Sequence, residues 1–385
     1  MKYILINTNE PKPFEENSRL GRVGHIYETL TDRESQVVWI TSNYSHTLKR
    51  YLKSSEKISP DGVKIKYLLG LPYKKNISII RILNNIFLGI QVFIYLLIFA
   101  KESRVLTSCP LIETTFAATL CSSLKKLNIM IDIRDDWPDS FIDHIPYPFK
   151  FSERLILFPW RAMLKYSFSR SIKIIAMSSE QASFGKKYSD GKAIDIFYIG
   201  DDIPKIMLSD RTEEIRLFFI GTLSPARPLD KLIKSLDRTK LNLHLNIVGD
   251  GDEFEKYKSI KSEIKVTMHG RKVGHELHNL IKDADILLAP FAENYGFSLP
   301  TKISTYIGYG VPVITNIARE TGEFLNNYDL GSVVNFDEFK ELKSSIIYWH
   351  SVNRIEHYEK SRKVYADNFN IINISKSIVH ALKNI

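Results

Sequence analysis

Short runs of β-branched and aromatic residues alternate with longer helical patterns along the whole of this chain. In the first part the runs are 3–6, 37–41, 63–68, 104–107, 129–133, 172–176 and 194–198, and in the second part they are 215–220, 243–248, 265–269, 286–289, 311–315 and 332–334. Because parallel strands are joined by crossovers that are usually helical, this alternation predicts an α/β fold with parallel sheets.

The alternation restarts after the polar segment 200–204. A chain of 385 residues is long enough for two domains of ordinary size. We therefore predict two Rossmann-like, doubly wound domains, 1–203 and 204–385, which face each other across a cleft. The last helix, about 370–385, is assigned to the C-terminal domain, with packing on the N-terminal domain as the alternative. Ligands of such sheets bind beyond the carboxyl ends of the strands, at helix N-termini.

The composition is that of an ordinary folded protein. Apolar residues make up 44% of the chain, which is enough for a full core in each domain. The two cysteines, Cys109 and Cys121, form neither a CxxC pair nor a His-Cys cluster, so we expect reduced thiols packed in a core and no metal. The segment 1–7 turns polar too early for a signal peptide, and we expect a cytoplasmic protein.

Positive charge is concentrated in the N-terminal half. The whole chain carries a net charge of +9, and residues 1–205 hold 29 Lys/Arg against 21 Asp/Glu. A basic surface attracts nucleic acid, anionic lipid or phosphorylated substrates. The sequence has no zinc ligands, RNA-recognition motif or compact helix-turn-helix pattern, so we expect no nucleic acid partner.

The most apolar run, 86–100, lies in the same half. Its length falls short of the roughly twenty residues that span a bilayer. A buried core helix and a helix that partly faces lipid are both open at this point. The basic stretch upstream supports a helix that partly faces lipid, because basic residues beside an apolar helix suit an anionic membrane surface. In this stretch Glu56 and Asp61 are outnumbered by Lys49, Arg50, Lys53, Lys57, Lys64, Lys66, Lys74 and Lys75.

Four loops in the C-terminal half directly follow predicted strands. In the first, 219–229, a strand ends at Gly221, and Thr222 and Arg227 precede a helix that opens near Pro228. An anion placed there would meet free backbone N–H groups, the positive end of the helix dipole and a guanidinium. Many α/β proteins have this pattern, so alone it is a weak signal of a phosphate site.

Two further loops have glycines next to strand ends. Gly249 and Gly251 permit a tight turn and close backbone approach, although a structural turn explains them equally well. Gly270 precedes Arg271, and backbone groups there could pair with the edge of a nucleobase, while the arginine could equally be a surface charge.

The fourth loop, 289–302, is the most specific of the set. A strand leads into a glycine-bearing segment, and a helix is predicted to begin at its end, where first-turn N–H groups would form an anion pocket and a lysine would add a point charge for phosphate. The candidate ligand-binding residues of this loop are Glu293, Gly296, Phe297, Thr301 and Lys302.

In order and spacing, the four loops resemble the C-terminal domain of the group 1 glycosyltransferases, retaining enzymes of family 4 with the GT-B fold. The resemblance implies that these loops bind the nucleoside diphosphate of an activated sugar. It also implies a hexosyltransferase-type reaction with retention, no metal and no further cofactor. The donor-binding residues implied are Gly221, Thr222, Arg227, Gly249, Arg271, Glu293, Gly296, Phe297, Thr301 and Lys302.

The N-terminal half adds the segment 134–138, Arg-Asp-Asp-Trp-Pro. It looks like the RDxWP motif of a bacterial subgroup that assembles lipid-linked surface polysaccharides such as O-antigen and capsule. The resemblance implies that Asp135 and Arg134 belong to the catalytic site, and that Gly21 and Gly24 lie in a loop near donor and acceptor. The implied acceptor is a lipid-linked saccharide or an oligosaccharide, with peripheral contact to the inner face of the cytoplasmic membrane.

Three positions depart from the family pattern. Thr222 stands where the family commonly has an arginine, with Arg227 near the place of its lysine. Thr305 falls where a glutamate binds the donor ribose, and Arg134-Asp135 replace a histidine of many members. These differences keep two other functions open, a sugar-nucleotide epimerase of the same fold and a catalytically inactive scaffold in a polysaccharide assembly complex.

Overall fold

A computed structural model of the chain describes residues 2–11, 20–31, 36–53, 64–144, 152–293 and 299–385. The chain divides into two compact units, of which one joins the chain up to Tyr198 with Ile371–Ile385 and the other is Ile199–Asn370. Each unit is an α/β structure on a parallel sheet, so the predicted fold class is confirmed.

The N-terminal unit is built on a seven-stranded parallel sheet of order β5-β2-β1-β6-β7-β8-β9, in which β2 and β6 flank β1. A short hairpin, β3–β4, follows β2 and was not predicted from the sequence. The strands are β1 (Lys2–Ile6), β2 (Gln36–Ser42), β3 (Tyr44–Ser45), β4 (Arg50–Tyr51), β5 (Ile65–Leu68), β6 (Ser103–Cys109), β7 (Asn128–Ile133), β8 (Lys173–Ala176) and β9 (Ile194–Ile196).

Helices cover both faces of this sheet, and alternate residues of β1 serve the two cores. Ile4 and Ile6 lie in the cluster with helices α2 to α5, whereas Tyr3 and Leu5 lie in the cluster with α1 and α13. The end of the chain thus completes the N-terminal core. The helices are α1 (Arg22–Thr31), α2 (Ile79–Phe99), α3 (Ile112–Lys125), α4 (Glu153–Arg170), α5 (Ser179–Tyr188) and α13 (Ile371–Lys383).

Helix α2 is longer than the apolar run 86–100 from which it was predicted. Ser78 caps it by accepting a hydrogen bond from the backbone N–H of Arg81, so polar residues before the run also become helical. At 21 residues, its length and composition would suffice to cross a membrane, and only 28% of its most apolar window is buried. The expectation of a helix too short to span is therefore corrected, and a wholly buried core helix is ruled out.

The C-terminal unit has a six-stranded parallel sheet of order β12-β11-β10-β13-β14-β15. Its strands are β10 (Ile215–Ile220), β11 (Leu243–Val248), β12 (Lys265–Gly270), β13 (Ile286–Ala289), β14 (Val313–Thr315) and β15 (Gly331–Val333). Its helices are α6 (Leu229–Thr239), α7 (Phe254–Lys258), α8 (Gly274–Ile281), α9 (Thr301–Gly308), α10 (Arg319–Tyr328), α11 (Phe339–Ser351) and α12 (Arg354–Asn368).

A buried carboxylate, Asp285, joins the sheet of this unit to helix α12. Asp285 precedes β13 and accepts hydrogen bonds from Arg216 N at 2.8 Å and Arg216 Nε at 3.1 Å, and it also pairs with Arg354. Arg354 in turn donates to the backbone oxygens of Lys282 and Ala284. Because this carboxyl is almost inaccessible to solvent, each charge in the cluster depends on the others for compensation.

We predict that Asp285→Ala lowers the free energy of unfolding by about 3–5 kcal/mol, because it leaves two guanidinium groups without their buried partner. Urea denaturation measures the effect. Glu263→Ala is the matched control, since it removes an exposed pair with Lys240 and should cost at most about 1 kcal/mol. Equal costs for the two variants would contradict the structural role of Asp285.

Candidate functional site

The site in the C-terminal unit follows from the order of its strands. The first strand of the unit, β10, lies in the middle of the sheet, with the second strand on one side and the fourth, β13, on the other. Connections therefore leave β10 and β13 in opposite directions, which opens a crevice at their carboxyl ends. The first and fourth predicted loops begin there, and Ala292 N donates to Ala226 O at 3.0 Å between them.

Four of the predicted donor residues line one cavity of about 530 Å³ at this edge of the sheet, and these are Gly221, Thr222, Gly249 and Arg271. The loops that carry them are hydrogen-bonded in series, since Gly221 N donates to Val248 O and Gly249 N donates to Gly270 O, both at 2.9 Å. The first three strand-end loops thus form one continuous wall.

Two glycines let the loops approach each other this closely. Gly249 has a φ of +159°, and a Cβ there would lie 1.9 Å from the carbonyl oxygen of Gly221. Gly221 has a φ of +148°, and a Cβ there would lie 2.6 Å from Lys302 Nζ. A side chain at either position would push the loops apart or displace the lysine.

Lys302 and Arg227 are two nearby basic residues, and neither forms an ion pair with any acid of the described chain. Lys302 Nζ is buried 3.8 Å from the centre of the Phe219 ring, and neither it nor Arg227 Nε has a hydrogen-bond partner among the described residues. Burial lowers the pKa of Lys302 well below its usual range, and the nearby charge of Arg227 lowers it further. Both side chains are half-buried, but these two nitrogen atoms are inaccessible to solvent, and buried donors without acceptors form a site suited to an anion.

Tyr306 fixes the helix that carries Lys302 against the end of β10. Its hydroxyl accepts a hydrogen bond from Ile220 N at 2.8 Å and donates to Ile220 O at 3.1 Å. The ring is fully buried, and burial raises the pKa of this phenol. This contact holds the first turn of α9 beside Gly221, the residue that follows β10.

The other predicted donor residues lie outside this cluster or outside the described chain. Thr301 begins α9 and is exposed. The Glu293 side chain is 87% exposed and pairs with Lys231 at 3.4 Å, so it does not line the 530 Å³ cavity. Gly296 and Phe297 lie outside the described residues. Thr305 donates to Thr301 O at 3.0 Å within the helix.

In the N-terminal unit, Arg134 belongs to a buried ion-pair network rather than standing alone. Asp132 accepts from Arg134 Nε at 2.9 Å and from Arg22 Nη2 at 3.2 Å, and Arg134 Nη1 pairs with Glu10. Burial opposes the charge of Arg134, but Glu10 and Asp132 outweigh it and raise its pKa. Two of the three guanidinium nitrogens are therefore engaged within the protein, and the catalytic role of Arg134 stays a prediction. Nη2 has no partner among the described residues.

The two glycines of the predicted N-terminal loop lie beside this network. Glu10 Oε2 accepts from Val23 N at 2.9 Å, so its carboxylate occupies the N-terminus of α1. A Cβ on Gly21 would lie 2.6 Å from the carboxyl carbon of Glu10, whereas one on Gly24 would lie 2.3 Å from the side chain of Leu20. Gly21 therefore leaves room for the carboxylate, and Gly24 serves local packing. Sequence reasoning did not identify Glu10 or Arg22.

Asp135 lies apart from the network and lines a second cavity, of about 280 Å³, within the N-terminal unit. Burial raises its pKa, although a hydrogen bond from Ser140 acts in the opposite direction. Burial, followed by the charge of Asp135, raises the pKa of the neighbouring Asp136 to about 6. Two adjacent carboxyl groups with raised pKa values are typical of a functional site.

The cysteines behave as predicted. Cys109 and Cys121 are free and buried, and burial raises the pKa of the Cys109 thiol well above its usual value. In the part of the chain that the structure describes, no group of three or more His, Cys, Asp or Glu is placed to hold a metal ion.

The fold places the chain among GT-B proteins. HepE of Anabaena in complex with UDP has a TM-score of 0.66 at 15% identity, with 100% of both chains covered. The lipopolysaccharide outer core galactosyltransferase WaaB gives 0.66 at 14% identity over 100% of both chains. WaaG, a glycosyltransferase involved in lipopolysaccharide biosynthesis, gives 0.57 at 13% identity over 99% of both chains.

The sequence of the C-terminal unit matches a particular family of glycosyltransferases. Residues 214–351 match the family model described as "Glycosyl transferases group 1". This segment contains β10 to β15 and all four strand-end loops, so the predicted family resemblance is confirmed for it. No curated protein matches the chain.

We predict that Asp136→Asn stabilises the protein above pH 6. Between about pH 4 and pH 6 the folded chain holds a proton that the unfolded chain releases, so the wild-type free energy of unfolding falls as pH rises through this window. Because the group is partly exposed, we expect a gain of about 1 kcal/mol at pH 8 and none at pH 4.

Urea denaturation at several pH values measures this gain. Asp252→Asn is the control, since it changes an exposed acid in the other unit. An unchanged pH slope in Asp136→Asn would contradict the assignment.

Proposed function

We propose that the protein is a glycosyltransferase that takes its sugar from a nucleoside diphosphate sugar bound in the C-terminal unit. The observation that carries this proposal is the pair of basic side chains at the carboxyl end of β10, Lys302 and Arg227, whose buried Nζ and Nε atoms have no hydrogen-bond partner among the described residues. A diphosphate would supply negative charge there, and its charge would raise the pKa that burial lowers in the lysine. The UDP bound to the structural neighbour HepE supports a nucleotide ligand.

The same two cations suit the chemistry of transfer. As the glycosidic bond to the diphosphate breaks, negative charge grows on the leaving oxygen, and cations held in place beforehand stabilise it without reorganisation. Contacts that strengthen in this way raise turnover as well as binding. We propose that the reaction retains the anomeric configuration and needs no metal, in keeping with the family that the C-terminal segment resembles.

We predict that Arg227→Ala and Lys302→Ala each cost about 2–3 kcal/mol in kcat/KM. The assay incubates the protein with a panel of nucleotide sugars and measures slow donor hydrolysis or transfer. UDP should also raise the Tm of the wild type and raise that of each variant less. Lys234→Ala, which changes an exposed lysine of α6 outside the cavity, is the control and should behave as wild type.

The outcomes separate the alternatives. Interconversion of the donor sugar without release of its nucleotide would indicate an epimerase. Absence of thermal protection by every nucleotide in the panel would indicate a scaffold. Wild-type kinetics in both variants would show that the diphosphate binds elsewhere.

We further propose a lipid-linked saccharide acceptor and peripheral binding to an anionic membrane surface, on the cytoplasmic side, in the synthesis of a surface polysaccharide such as O-antigen or capsule. Helix α2 supports membrane binding, because a stripe of exposed apolar side chains runs along its outer face. Its members recur every three or four residues and are Ile79, Leu83, Ile86, Ile90, Ile94 and Leu97. The opposite face, with Leu88, Val92 and Leu96, is buried in the N-terminal core.

Basic residues surround both ends of this stripe, and the helix itself contains no acid. Lys74 and Lys75 are exposed before its start, and Lys101 is exposed just after its end, next to Glu102. Lys125 reaches the backbone oxygen of Leu97. An apolar stripe between cations fits an anionic bilayer surface, with the helix lying in the plane of the membrane.

We predict that the protein floats with vesicles that contain phosphatidylglycerol, and that Ile86→Asp/Ile90→Asp lowers the bound fraction at least tenfold. Both side chains are exposed, so the fold should survive the change. Ile355→Asp replaces an isoleucine of the C-terminal unit that is more exposed than either, and it should leave flotation unchanged. Equal flotation of the double variant and the wild type would exclude the stripe as the membrane contact.

A further inference from the structure

The 280 Å³ cavity of the N-terminal unit lies beneath the start of helix α2, between α2, α3 and α4. Its size is close to the lower limit of small-molecule sites. Its lining combines aromatic rings, Trp137, Trp160 and Phe141, with two carboxylates, Glu113 and Asp135. Asp135 comes from the RDxWP-like segment, but nothing in the sequence drew attention to Glu113, because an acid in the first turn of a helix is common.

Glu113 is a buried acid with half of its hydrogen-bonding capacity unused. Its Oε1 accepts from Trp160 Nε1 at 2.9 Å, whereas Oε2 has no partner among the described residues, and the residue is only 7% exposed. Burial raises the pKa of this carboxyl, and the Trp160 N–H, the backbone N–H of Glu113 itself, the charge of Arg81 and the side-chain amide of Asn85 offset the rise in part. Neither the Asn85 amide nor the backbone N–H forms a hydrogen bond with Oε2. An unpaired buried oxygen is costly unless a ligand supplies a donor.

The rest of the lining suits a sugar ring. Asp135, which is exposed, offers a second acceptor for hydroxyl groups, and the hydrogen bond that it accepts from Ser140 Oγ is long at 3.4 Å. Trp137 packs edge-on against Trp160 and Phe141, with ring centroids 6.1 and 5.1 Å apart, so the aromatic walls hold each other in place. Hydroxyl groups need acceptors, while the C–H faces of a sugar pack against aromatic rings.

The mouth of the cavity is basic and its rim is apolar. Arg81 lines the mouth, and Lys49 donates to Asn76 Oδ1 at 2.6 Å beside it. Neither cation has an ion-pair partner among the described residues, and the charge of Arg81 contributes to lowering the pKa of Lys49 after the effect of burial. Ile77 and Ile156 form exposed parts of the rim, next to the stripe of α2.

We infer that this cavity binds the saccharide head of an amphiphilic acceptor, with Glu113 Oε2 and Asp135 accepting its hydroxyl groups, Arg81 and Lys49 contacting a lipid-bound phosphate, and the apolar tail following α2. The inference rests on the proposed transferase function and assigns its acceptor site. A free sugar would leave the basic mouth and the apolar rim without partners, and a lipid phosphate without a sugar would leave Glu113 unsatisfied. Only a ligand with all three parts satisfies the whole surface.

Tryptophan fluorescence gives a direct measure of binding. Trp137 and Trp160 line the cavity, whereas Trp39 and Trp349 are fully buried elsewhere. The probes are farnesyl diphosphate linked to glucose, galactose or N-acetylglucosamine, together with farnesyl diphosphate alone and the free sugars. We expect at least one linked probe to bind ten times more tightly than farnesyl diphosphate, and Trp137→Phe to reduce the signal.

Glu113→Gln is the decisive variant, because the amide keeps the hydrogen bond from Trp160 and replaces only the acceptor Oε2 by a donor. It should weaken the tightest linked probe about tenfold to hundredfold and leave the affinity for farnesyl diphosphate unchanged. Arg81→Gln should weaken both. Glu28→Gln, on the exposed side of α1, is the control and should change neither.

Two results would overturn the inference. One is equal affinity of folded Glu113→Gln and wild type for the linked probes. The other is the absence of a signal with every linked probe while UDP still raises the Tm of the wild type. The second result would remove the acceptor site and leave the donor site intact, whereas failure of UDP to protect the protein would count against the transferase function itself.

Discussion

The position of the first strand of each unit is the constraint on which the rest of the structure depends. β1 and β10 each lie between the second strand of their unit and a later strand, all in parallel, so the connections diverge at their carboxyl ends. Both sets of candidate site residues stand at or beside these points. In the C-terminal unit the divergence brings the loops after β10 and β13 together, and a lysine from one reaches the glycine of the other.

The buried charges are of two kinds. Some are paired within the protein and stabilise the fold, and others have no partner among the described residues and are candidates for binding a ligand. Asp285 and Asp132 are each surrounded by arginines, so their charges are compensated within the protein. Lys302 Nζ, Arg227 Nε and Glu113 Oε2 are buried atoms without a hydrogen-bond partner among the described residues. Natural proteins rarely leave buried polar groups unpaired. Among the described residues such groups occur in both units, and those of Lys302, Arg227 and Glu113 are the ones that the proposed ligands would satisfy.

Sequence patterns were sufficient for the fold and for half of the site. The central strands of both sheets are apolar runs with mostly buried side chains, a strong signal, whereas the two-residue strands β3 and β4 are too short to leave one. Gly221, Gly249 and Lys302 could be predicted because strand ends and helix starts mark them. Glu113, Glu10 and Arg22 could not, because their roles arise from partners more than ten residues away in sequence. Arg134 was read from its motif, but its main partners come from tertiary packing.

The outward stripe of α2 also governs how the protein behaves away from lipid. In water, a continuous row of exposed isoleucine and leucine side chains is stabilised by contact with another apolar surface. At high protein concentration, the same row on a second copy of the chain provides such a surface. An assembly state measured in detergent-free buffer would therefore report on contacts made by this helix. Protein concentration and amphiphile content are thus variables of the first importance for its purification.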